Sequence, residues 1–349
     1  MSLTIHHGDA LAVLRTLPDA SVNCCVTSPP YYGLRDYGVD GQIGLEKTPA
    51  EYIARLVDVF REVRRALADN GTLFVNVGDS YASGKGSCNN PGGGVTSLSG
   101  HADLKEAGAY KLHRGNKSDL DAQGLKPKDL IGIPWMLAFA LRDDGWWLRQ
   151  DIIWAKPNPM PESVKDRCTK AHEYIFMLSK SARYFYDSAA VAEVAINGEL
   201  LHRGYDKPGI LNGTASRNGR VAPSARDNFR RTTKEADVPG QSMRQHRENR
   251  KDTFRTDTRN RRSVWTLATL PTPEAHFATY PIELPELCIR AGCPEGGVVL
   301  DPFTGAGTTA LACLKNGRRF VGVELNAEYI QIAHARARKY YPLLCEVSA

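Results

Sequence analysis

Apolar side chains recur along this chain in two spacings, and together they predict alternating helices and strands. After a capping box at Thr48-Pro49-Ala50-Glu51, apolar residues stand three or four positions apart, which predicts an amphipathic helix. The stripe comprises Ile53, Leu56, Val57, Phe60, Val63 and Leu67. Asn70-Gly71 is expected to end the helix, and the continuous apolar run 72–77 predicts a buried strand.

The same two patterns extend over most of the remaining sequence. Further helices are predicted at residues 10–17, 129–142 and 310–315. Further strands are predicted around Ile5 and at residues 22–26, 152–154, 174–178, 298–301 and 319–324. Strands that alternate with helices indicate an α/β fold with a doubly wound, mostly parallel sheet.

Length and composition exclude several classes of protein. The chain has 349 residues, of which 42% are hydrophobic, enough for one to two domains with a large core. It has neither an apolar run of about 18 residues nor a signal-peptide pattern, so we expect a cytoplasmic, nucleoid-associated protein with no membrane contact. None of the 8 cysteines forms a Cys-x-x-Cys pair, so neither a disulfide framework nor a metal site is expected.

Positive charge is concentrated in one segment. The net charge is +6, but residues 202–262 hold 13 Arg and 3 Lys against 7 acidic residues. This segment is either a disordered basic linker or a surface that binds phosphates and guanine edges, for which arginine is well suited. The candidate DNA-binding residues are Arg217, Arg220, Arg226, Arg230, Arg231, Arg244, Arg247 and Arg250.

A second segment, residues 83–125, interrupts the alternation of helices and strands. It contains Ser83-Gly84-Lys85-Gly86-Ser87 and Pro91-Gly92-Gly93-Gly94 and is longer than an ordinary connection. We interpret it as a flexible loop. The sequence leaves open whether this loop orders on DNA or is a solvated insertion.

The predicted strand 22–26 is followed by Ser28-Pro29-Pro30-Tyr31, a turn with unusual chemistry. Each proline lacks a backbone N–H, so nearby carbonyls remain available as acceptors. The Ser28 hydroxyl is a further acceptor, and the Tyr31 ring offers a flat face for stacking. These groups suit a planar ring that carries an amino group, although a strand ending in a proline turn is an equally simple interpretation.

A second motif lies near the other end of the chain, where the strand 298–301 runs into Gly305-Ala306-Gly307 and then a helix. Glycine lets a ligand approach the backbone, and a helix N-terminus favours negative charge. The next strand ends at Glu324, at the spacing where a carboxylate binds ribose hydroxyls. Ala310 replaces the third glycine of the dinucleotide fingerprint, and no phosphate loop is present.

These two motifs resemble those of the β group of amino-directed DNA methyltransferases, which use S-adenosylmethionine. In that group the Ser/Asp-Pro-Pro-Tyr motif precedes the cofactor turn, as it does here, and the resemblance covers residues 3–190 and 263–340. It implies a Rossmann-like methyltransferase fold with a permuted motif order and a reversed hairpin, for which residues 174–186 are the candidate. It also implies a catalytic half at 1–190, a target-recognition insertion at 191–262 and a cofactor-binding half at 263–349.

The resemblance assigns roles to individual residues. The catalytic residues it implies are Ser28, Pro29, Pro30 and Tyr31. The cofactor-binding residues it implies are Asp9, Tyr280, Glu283, Asp301, Phe303, Thr304, Gly305, Gly307, Thr308 and Glu324. Asp9 is equally well explained as the N-cap of a helix. Trp154, Lys156, Asn158 and His172-Glu173 either border the same pocket or have structural roles.

The chemistry implied is direct methyl transfer to an exocyclic amino group of a base rotated out of double-stranded DNA. The Ser-Pro-Pro-Tyr form is more often linked with cytosine N4 than with adenine N6, so cytosine N4 is favoured. An RNA or protein methyltransferase and a DNA-binding module without catalysis remain alternatives. The resemblance also raises a homodimer and a separate restriction nuclease as partners.

Overall fold

The computed structural model describes residues 2–33, 39, 41–82, 124–194, 258–269, 280–342 and 346–347. The chain divides into two compact units. One comprises Met1–Val191 together with Arg262–Ala349, and the other comprises Ala192–Arg261. The second unit coincides, to within one residue at each end, with the segment proposed from sequence as the recognition insertion.

Six helices and eleven strands make up the described part of the chain. The helices are α1 (Ala10–Leu14), α2 (Pro49–Ala66), α3 (Ile133–Asp143), α4 (Glu283–Gly292), α5 (Thr308–Lys315) and α6 (Ala327–Tyr340). The strands are β1 (Ser2–His7), β2 (Val22–Thr27), β3 (Leu67–Val77), β4 (Trp147–Ala155), β5 (His172–Ser179), β6 (Glu193–Val194), β7 (Thr258–Arg259), β8 (Val264–Thr266), β9 (Val298–Asp301), β10 (Arg319–Glu324) and β11 (Glu346–Val347).

Nine of the strands form one sheet in the order β11-β1-β10-β9-β2-β3-β5-β4-β8. Strand β5 runs antiparallel to both of its neighbours, β3 and β4, and the remaining pairs of the sheet are parallel. Strands β6 and β7 form a separate antiparallel pair in the second unit. The predicted mostly parallel α/β sheet is therefore confirmed.

Helices cover both faces of this sheet. Adjacent residues of β2 point to opposite faces, so Cys25 packs with α1, α2 and α3 while Cys24 packs with α4, α5 and α6. Strand β9 divides in the same way, with Leu300 on the first side and Val299 on the second. This arrangement of three layers is the doubly wound fold. No helix in the described segments is both long and apolar enough to cross a membrane.

The predicted helix boundaries differ from the structure in several places. Helix α1 ends at Leu14 rather than residue 17, and α5 begins at Thr308 rather than residue 310. Helix α2 ends at Ala66, before Asn70-Gly71, and the strand already begins at Leu67. Asn70-Gly71 instead lies in an irregularity of β3, because Leu67 pairs with Val22 and Thr72 pairs with Cys24. Helix α3 begins at Ile133 rather than residue 129, because Gly132 adopts a left-handed conformation with φ of 85°.

The reversed hairpin also differs from the prediction. Only the first part of residues 174–186 is extended, as the end of β5, and the segment after Ser179 contains no strand. The antiparallel partner of β5 is the preceding strand β4, with Trp154 opposite Glu173. The hairpin is thus formed by β4 and β5, joined by residues 156–171.

The order of the strands reverses between β9 and β2. The crossover through α5 leads from β9 to β10 on one side, and the crossover through α2 leads from β2 to β3 on the other. In open α/β sheets, ligands bind outside the carboxyl ends of the strands at such a point. The two sequence motifs follow directly from these two strands.

Candidate active site

A buried hydrogen bond joins the two motifs. Strands β2 and β9 are neighbours with Cys25 opposite Leu300, so their carboxyl ends lie side by side. Immediately beyond, Oγ1 of Thr27 donates to Oδ1 of Asp301 at 2.6 Å, across a sequence separation of 274 residues. The Ser-Pro-Pro-Tyr turn and the glycine turn therefore open at the same place on the sheet edge.

Asp301 organises the start of the glycine turn from inside the protein. Its carboxylate is fully buried and accepts hydrogen bonds from Thr27, from Oγ1 of Thr309 at 2.7 Å and from the backbone of Phe303 at 3.0 Å. Burial raises the pKa of Asp301 to about 6, although the three hydrogen bonds favour the ionised form. Its position supports a role in shaping the turn.

Two glycines give the turn its conformation. Gly305 has φ of 53°, and a Cβ placed on it would meet no atom of the described residues within 4 Å, so these residues leave open space in front of it. Gly307 has φ of 78°, and a Cβ there would lie 2.7 Å from Cβ of Ala333 on α6. Gly305 thus leaves room beside the turn, whereas Gly307 permits close packing of α6 beneath it.

Neighbouring side chains hold the rest of the turn in place. Buried Thr304 donates through Oγ1 to the carbonyl of Asp301 at 3.1 Å. Arg336 of α6 donates to the Ala306 carbonyl and lies 3.3 Å from Oγ1 of Thr308. Helix α5 begins at Thr308 without a side-chain cap, so its first backbone N–H groups remain available to a ligand.

The carboxylate of Glu324, at the end of β10, is held in place beside the open space at Gly305. Oε2 accepts from the Gly305 N–H at 2.7 Å and Oε1 accepts from the Asn326 N–H at 2.8 Å. Burial raises the pKa of Glu324, and these backbone donors oppose the shift. Each carboxylate oxygen has a second lone pair that can accept from a ligand hydroxyl.

The other proposed cofactor residues occupy different positions around the turn. Asp9 follows β1, which is adjacent to β10, and its carboxylate accepts from the Ala12 N–H at 2.9 Å, as an N-cap does. The Tyr280 hydroxyl is hydrogen-bonded to Thr309. Phe303 is half-buried, and Glu283 is exposed in the first turn of α4.

The carbonyl groups of the Ser-Pro-Pro-Tyr turn are not equivalent. The Pro30 carbonyl accepts from the Tyr52 hydroxyl of α2 at 2.8 Å. Within the described segments, no hydrogen bond reaches the Pro29 carbonyl. Oγ of the half-buried Ser28 lies 3.5 Å from Nδ2 of Asn76 on β3. The Ser28 hydroxyl and the Pro29 carbonyl are therefore two acceptors with capacity left for a ligand.

Tyr31 is held at both its ring and its hydroxyl. A Cβ on Gly78 would lie 2.7 Å from Cε2 of Tyr31, so the ring packs directly against that glycine. The hydroxyl donates to Oε2 of Glu173 at 2.7 Å and accepts from Nδ2 of Asn76 at 2.9 Å. Burial and the charge of Glu173 raise the pKa of Tyr31, which keeps the phenol protonated.

Sequence reasoning missed four residues that form the site, Thr27, Tyr52, Asn76 and Thr309. Asn76 had a detectable signal, since it is a polar residue inside the otherwise apolar run 72–77. The eight arginines proposed to bind DNA all fall within 195–257, outside the described residues. The segment 83–123 also falls outside them, as do residues 277–279 of the stretch Phe277–Leu284, which resembles the family motif that packs over the methionine end of the cofactor.

Fold and site together define the class of protein. A doubly wound sheet whose switch point is bordered by a Ser-Pro-Pro-Tyr turn, a glycine turn and an acid-tipped strand is the arrangement expected for an amino-methyltransferase. A sequence model of the DNA methylase family matches residues 22–335. The chain belongs to this family, and the predicted resemblance is confirmed.

Similar proteins extend over nearly the whole chain. The type II methyltransferase M.Cfr9I of Citrobacter freundii is 44% identical over 330 residues, covering 95% of this chain and 86% of the relative. The type II methyltransferase M.SmaI of Serratia marcescens is 41% identical over 329 residues, covering 94% and 88%. Both alignments include the two motifs and the segment between them.

Two solved structures share the fold. TTHA0409 from Thermus thermophilus, complexed with S-adenosyl-L-methionine, superposes with a TM-score of 0.53 at 24% identity, covering 97% of this chain and 95% of that one. The cytosine-N4-specific PvuII DNA methyltransferase superposes with a TM-score of 0.54 at 16% identity, covering 96% and 87%. At these identities the likeness concerns the architecture alone.

Proposed function

We propose that this protein transfers a methyl group from S-adenosylmethionine to the exocyclic amino group of a base in double-stranded DNA. Cytosine N4 is the favoured target, and adenine N6 is the alternative. The observation that carries the proposal is the hydrogen bond between Thr27 and Asp301, because it places the turn that suits an amino group beside the turn that suits the methyl donor.

The cofactor assignment is supported by the fit of the residues around the glycine turn. Glu324 offers a fixed carboxylate that can accept hydrogen bonds from ribose hydroxyls, and Gly305 leaves open space beside the turn. The first backbone N–H groups of α5 have no side-chain cap, which suits the carboxylate group of the cofactor. The complex of TTHA0409 with S-adenosyl-L-methionine shows that this architecture accommodates the molecule. When bound, S-adenosylmethionine supplies an electrophilic methyl group on a sulfonium.

The catalytic turn supplies two acceptors for one amino group. An amino group conjugated to a base ring is a poor nucleophile because its lone pair is delocalised into the ring. The Ser28 hydroxyl and the Pro29 carbonyl accept hydrogen bonds from its two N–H groups, which favours a tetrahedral nitrogen with a localised lone pair. On gaining the methyl group, the nitrogen would release one of these protons to water. Positioning contributes much of the remaining rate, since both reactants lie at one sheet edge.

The choice of base is argued from Ser28 and the family association. A serine in the first position of the motif is more often linked with cytosine N4, and an aspartate is more often linked with adenine N6. Both side chains can accept a hydrogen bond from an amino group. The preference for cytosine therefore belongs to the family pattern and does not follow from the hydrogen-bond geometry.

Double-stranded DNA is the proposed partner. Its target base leaves the helix to reach the cleft, where Tyr31 stacks on it. The arginines of residues 202–262 are proposed to bind the phosphate backbone and guanine edges. Since relatives are named type II methyltransferases, we propose a cytoplasmic enzyme that acts either with a separate restriction nuclease or as an orphan. A homodimer is compatible with this function.

The test is to methylate genomic DNA in vitro, digest it to nucleosides and identify the product by mass spectrometry. N4-methylcytosine is expected. N6-methyladenine as the sole product would change the assigned target from cytosine to adenine and leave the assignment as a DNA amino-methyltransferase unchanged. Methyl transfer to RNA or protein, with none to DNA, would overturn the proposed substrate, and binding of DNA without any methyl transfer would favour an inert module.

A further inference from the structure

A chain of polar side chains beneath the catalytic turn has no assigned role. Lys156 stands just after β4 and donates to Oε1 of Glu173, the second residue of β5. Oε2 of Glu173 accepts from the Tyr31 hydroxyl at 2.7 Å and from Nδ2 of Asn76 at 3.0 Å. Nδ2 of Asn76 also lies 3.5 Å from Oγ of Ser28. The chain thus connects one lysine to both ends of the catalytic motif.

Glu173 sets the direction of every hydrogen bond in this chain. A carboxylate only accepts, so the Tyr31 hydroxyl must donate to it and use its own lone pair to accept from Asn76. The same carboxylate turns the Asn76 amide so that Nδ2 faces the catalytic turn. In that orientation the buried Oδ1 of Asn76 has no partner among the described residues, so a favourable contact elsewhere must hold the amide there.

Lys156 keeps the Glu173 carboxylate ionised, so that it acts only as a hydrogen-bond acceptor. Side-chain exposure is 15% for Glu173 and 18% for Lys156. Burial alone raises the pKa of Glu173, but the charge of Lys156 and hydrogen bonds from Lys156, Tyr31 and Asn76 lower it overall. The Lys156 ammonium also lies 4.2 Å from the centre of the Trp154 ring, which fixes its position.

We propose that Glu173 is a positioning residue, which orients the Tyr31 ring toward the target base through its hydrogen bonds to the Tyr31 hydroxyl and to Asn76. This inference depends on the proposed methyl transfer for its effect on turnover. Its geometric part concerns only the position of Tyr31. An ion pair at this depth contributes little net stability compared with well-packed apolar residues, so orientation is the effect to measure.

The test combines Glu173→Gln with Tyr31→Phe in a double-mutant cycle of methyl transfer to DNA. Glu173→Gln is expected to lower kcat by about 10-fold to 100-fold in the parent and by less than about 3-fold in the Tyr31→Phe background, because the hydroxyl it orients is absent there. The dissociation constant for S-adenosylmethionine is expected to stay within about 2-fold. Equal losses of kcat in both backgrounds, or no loss in the parent, would overturn the proposal.

The chain offers a matched control and a fallback. Glu286 of α4 is 14% exposed and pairs at 2.6 Å with Lys315, which is at the end of α5 opposite the glycine turn, so Glu286→Gln is expected to leave kcat unchanged. If Glu173→Gln leaves Lys156 unpaired and fails to fold, the double variant Lys156→Met/Glu173→Gln takes the place of Glu173→Gln in the cycle with Tyr31→Phe. A loss of kcat in Glu286→Gln as large as in Glu173→Gln would count against a specific role.

A measurement without substrate separates this inference from the proposed function. The NMR shift of the Tyr31 ring, in protein with 13C-labelled tyrosine, is expected to move in Glu173→Gln and to stay constant in Glu286→Gln. An unchanged shift in Glu173→Gln would overturn the positioning role, whatever the enzyme does. A shift that moves, in a protein whose parent form transfers no methyl group to DNA, would overturn the proposed function and uphold the positioning of Tyr31.

Discussion

At the scale of single residues, the polar groups of the site divide into buried supports and accessible contacts. Asp301 and Thr27 are buried and bond to each other, whereas Ser28 and Glu324 are only partly buried. A buried carboxylate that accepts three protein hydrogen bonds has little capacity left for a ligand. We therefore propose that Asp301 shapes the glycine turn and that Glu324 is the acid that contacts a bound molecule.

The raised pKa of Asp301 gives a prediction about stability. Because the folded-state pKa is about 6 against an ordinary value of 3.8, the folded protein binds the proton more tightly than the unfolded chain. The stabilisation is complete below the ordinary value and is lost as the pH rises through about 6. Relative to Asp301→Asn, the free energy of unfolding of the parent should fall by about 2 kcal/mol between pH 4 and pH 7.

Urea denaturation of both proteins at several pH values measures this difference. The comparison with Asp301→Asn removes contributions from other groups that titrate in the same range. A difference in unfolding free energy that stays constant across this pH range would show that the Asp301 carboxyl titrates normally in the fold.

The sequence revealed the accessible residues of the site better than the buried ones. Ser28 and Glu324 stand in recognisable patterns at the ends of predicted strands. Thr27 and Thr309 are ordinary threonines whose role depends on a neighbour that only the folded sheet supplies. Lys156 and Glu173 meet because β4 and β5 pair in one particular register, which no local pattern specifies.

At the scale of elements, the sequence predicted the kinds of structure well and their ends less well. The apolar stripe of α2 and its capping box are confirmed by the structure. Asn70-Gly71 marks an irregularity inside β3 and not the end of α2, since the same residue types favour both features. The pairing of β5 with β3 and β4 depends on tertiary contacts that the local sequence does not specify, so the predicted hairpin at 174–186 was misplaced.

The two glycines of the turn between β9 and α5 are expected to respond differently to substitution by alanine. Gly307→Ala should destabilise the fold by about 2–3 kcal/mol, because its Cβ would overlap Ala333 in a left-handed conformation. Gly305→Ala should cost only about 1 kcal/mol, since the space around it is open. Gly305→Ala should instead weaken binding of S-adenosylmethionine, because the alanine Cβ enters the open space beside the turn.

Thermal denaturation and calorimetry with S-adenosylmethionine measure these two effects on the same pair of variants. Equal destabilisation by both substitutions would contradict the packing of α6 beneath Gly307. Unchanged affinity for S-adenosylmethionine in Gly305→Ala would show that the space beside Gly305 is not part of the cofactor site.

At the scale of the whole molecule, two distant parts of the chain form one cleft. Parallel β2 and β9 bring the Ser-Pro-Pro-Tyr turn beside the glycine turn, although the first comes near the start of the sequence and the second near its end. The order of the motifs along the chain is therefore compatible with a single methyltransferase site. In the sequence, Ala192–Arg261 comes between the two parts of the first unit and forms a compact unit of its own, as proposed for a recognition insertion.

The most direct test of this account compares Ser28→Ala with Glu324→Ala in two measurements, the rate of methyl transfer to DNA and the calorimetric affinity for S-adenosylmethionine. Ser28→Ala should lower turnover by about 10-fold to 100-fold and leave the affinity within about 2-fold, because it removes an acceptor for the amino group. Glu324→Ala should weaken the affinity by about 10-fold or more, because it removes the acceptor for ribose hydroxyls. Equal weakening of S-adenosylmethionine binding by both substitutions would contradict the separate roles assigned to the two sides of the cleft.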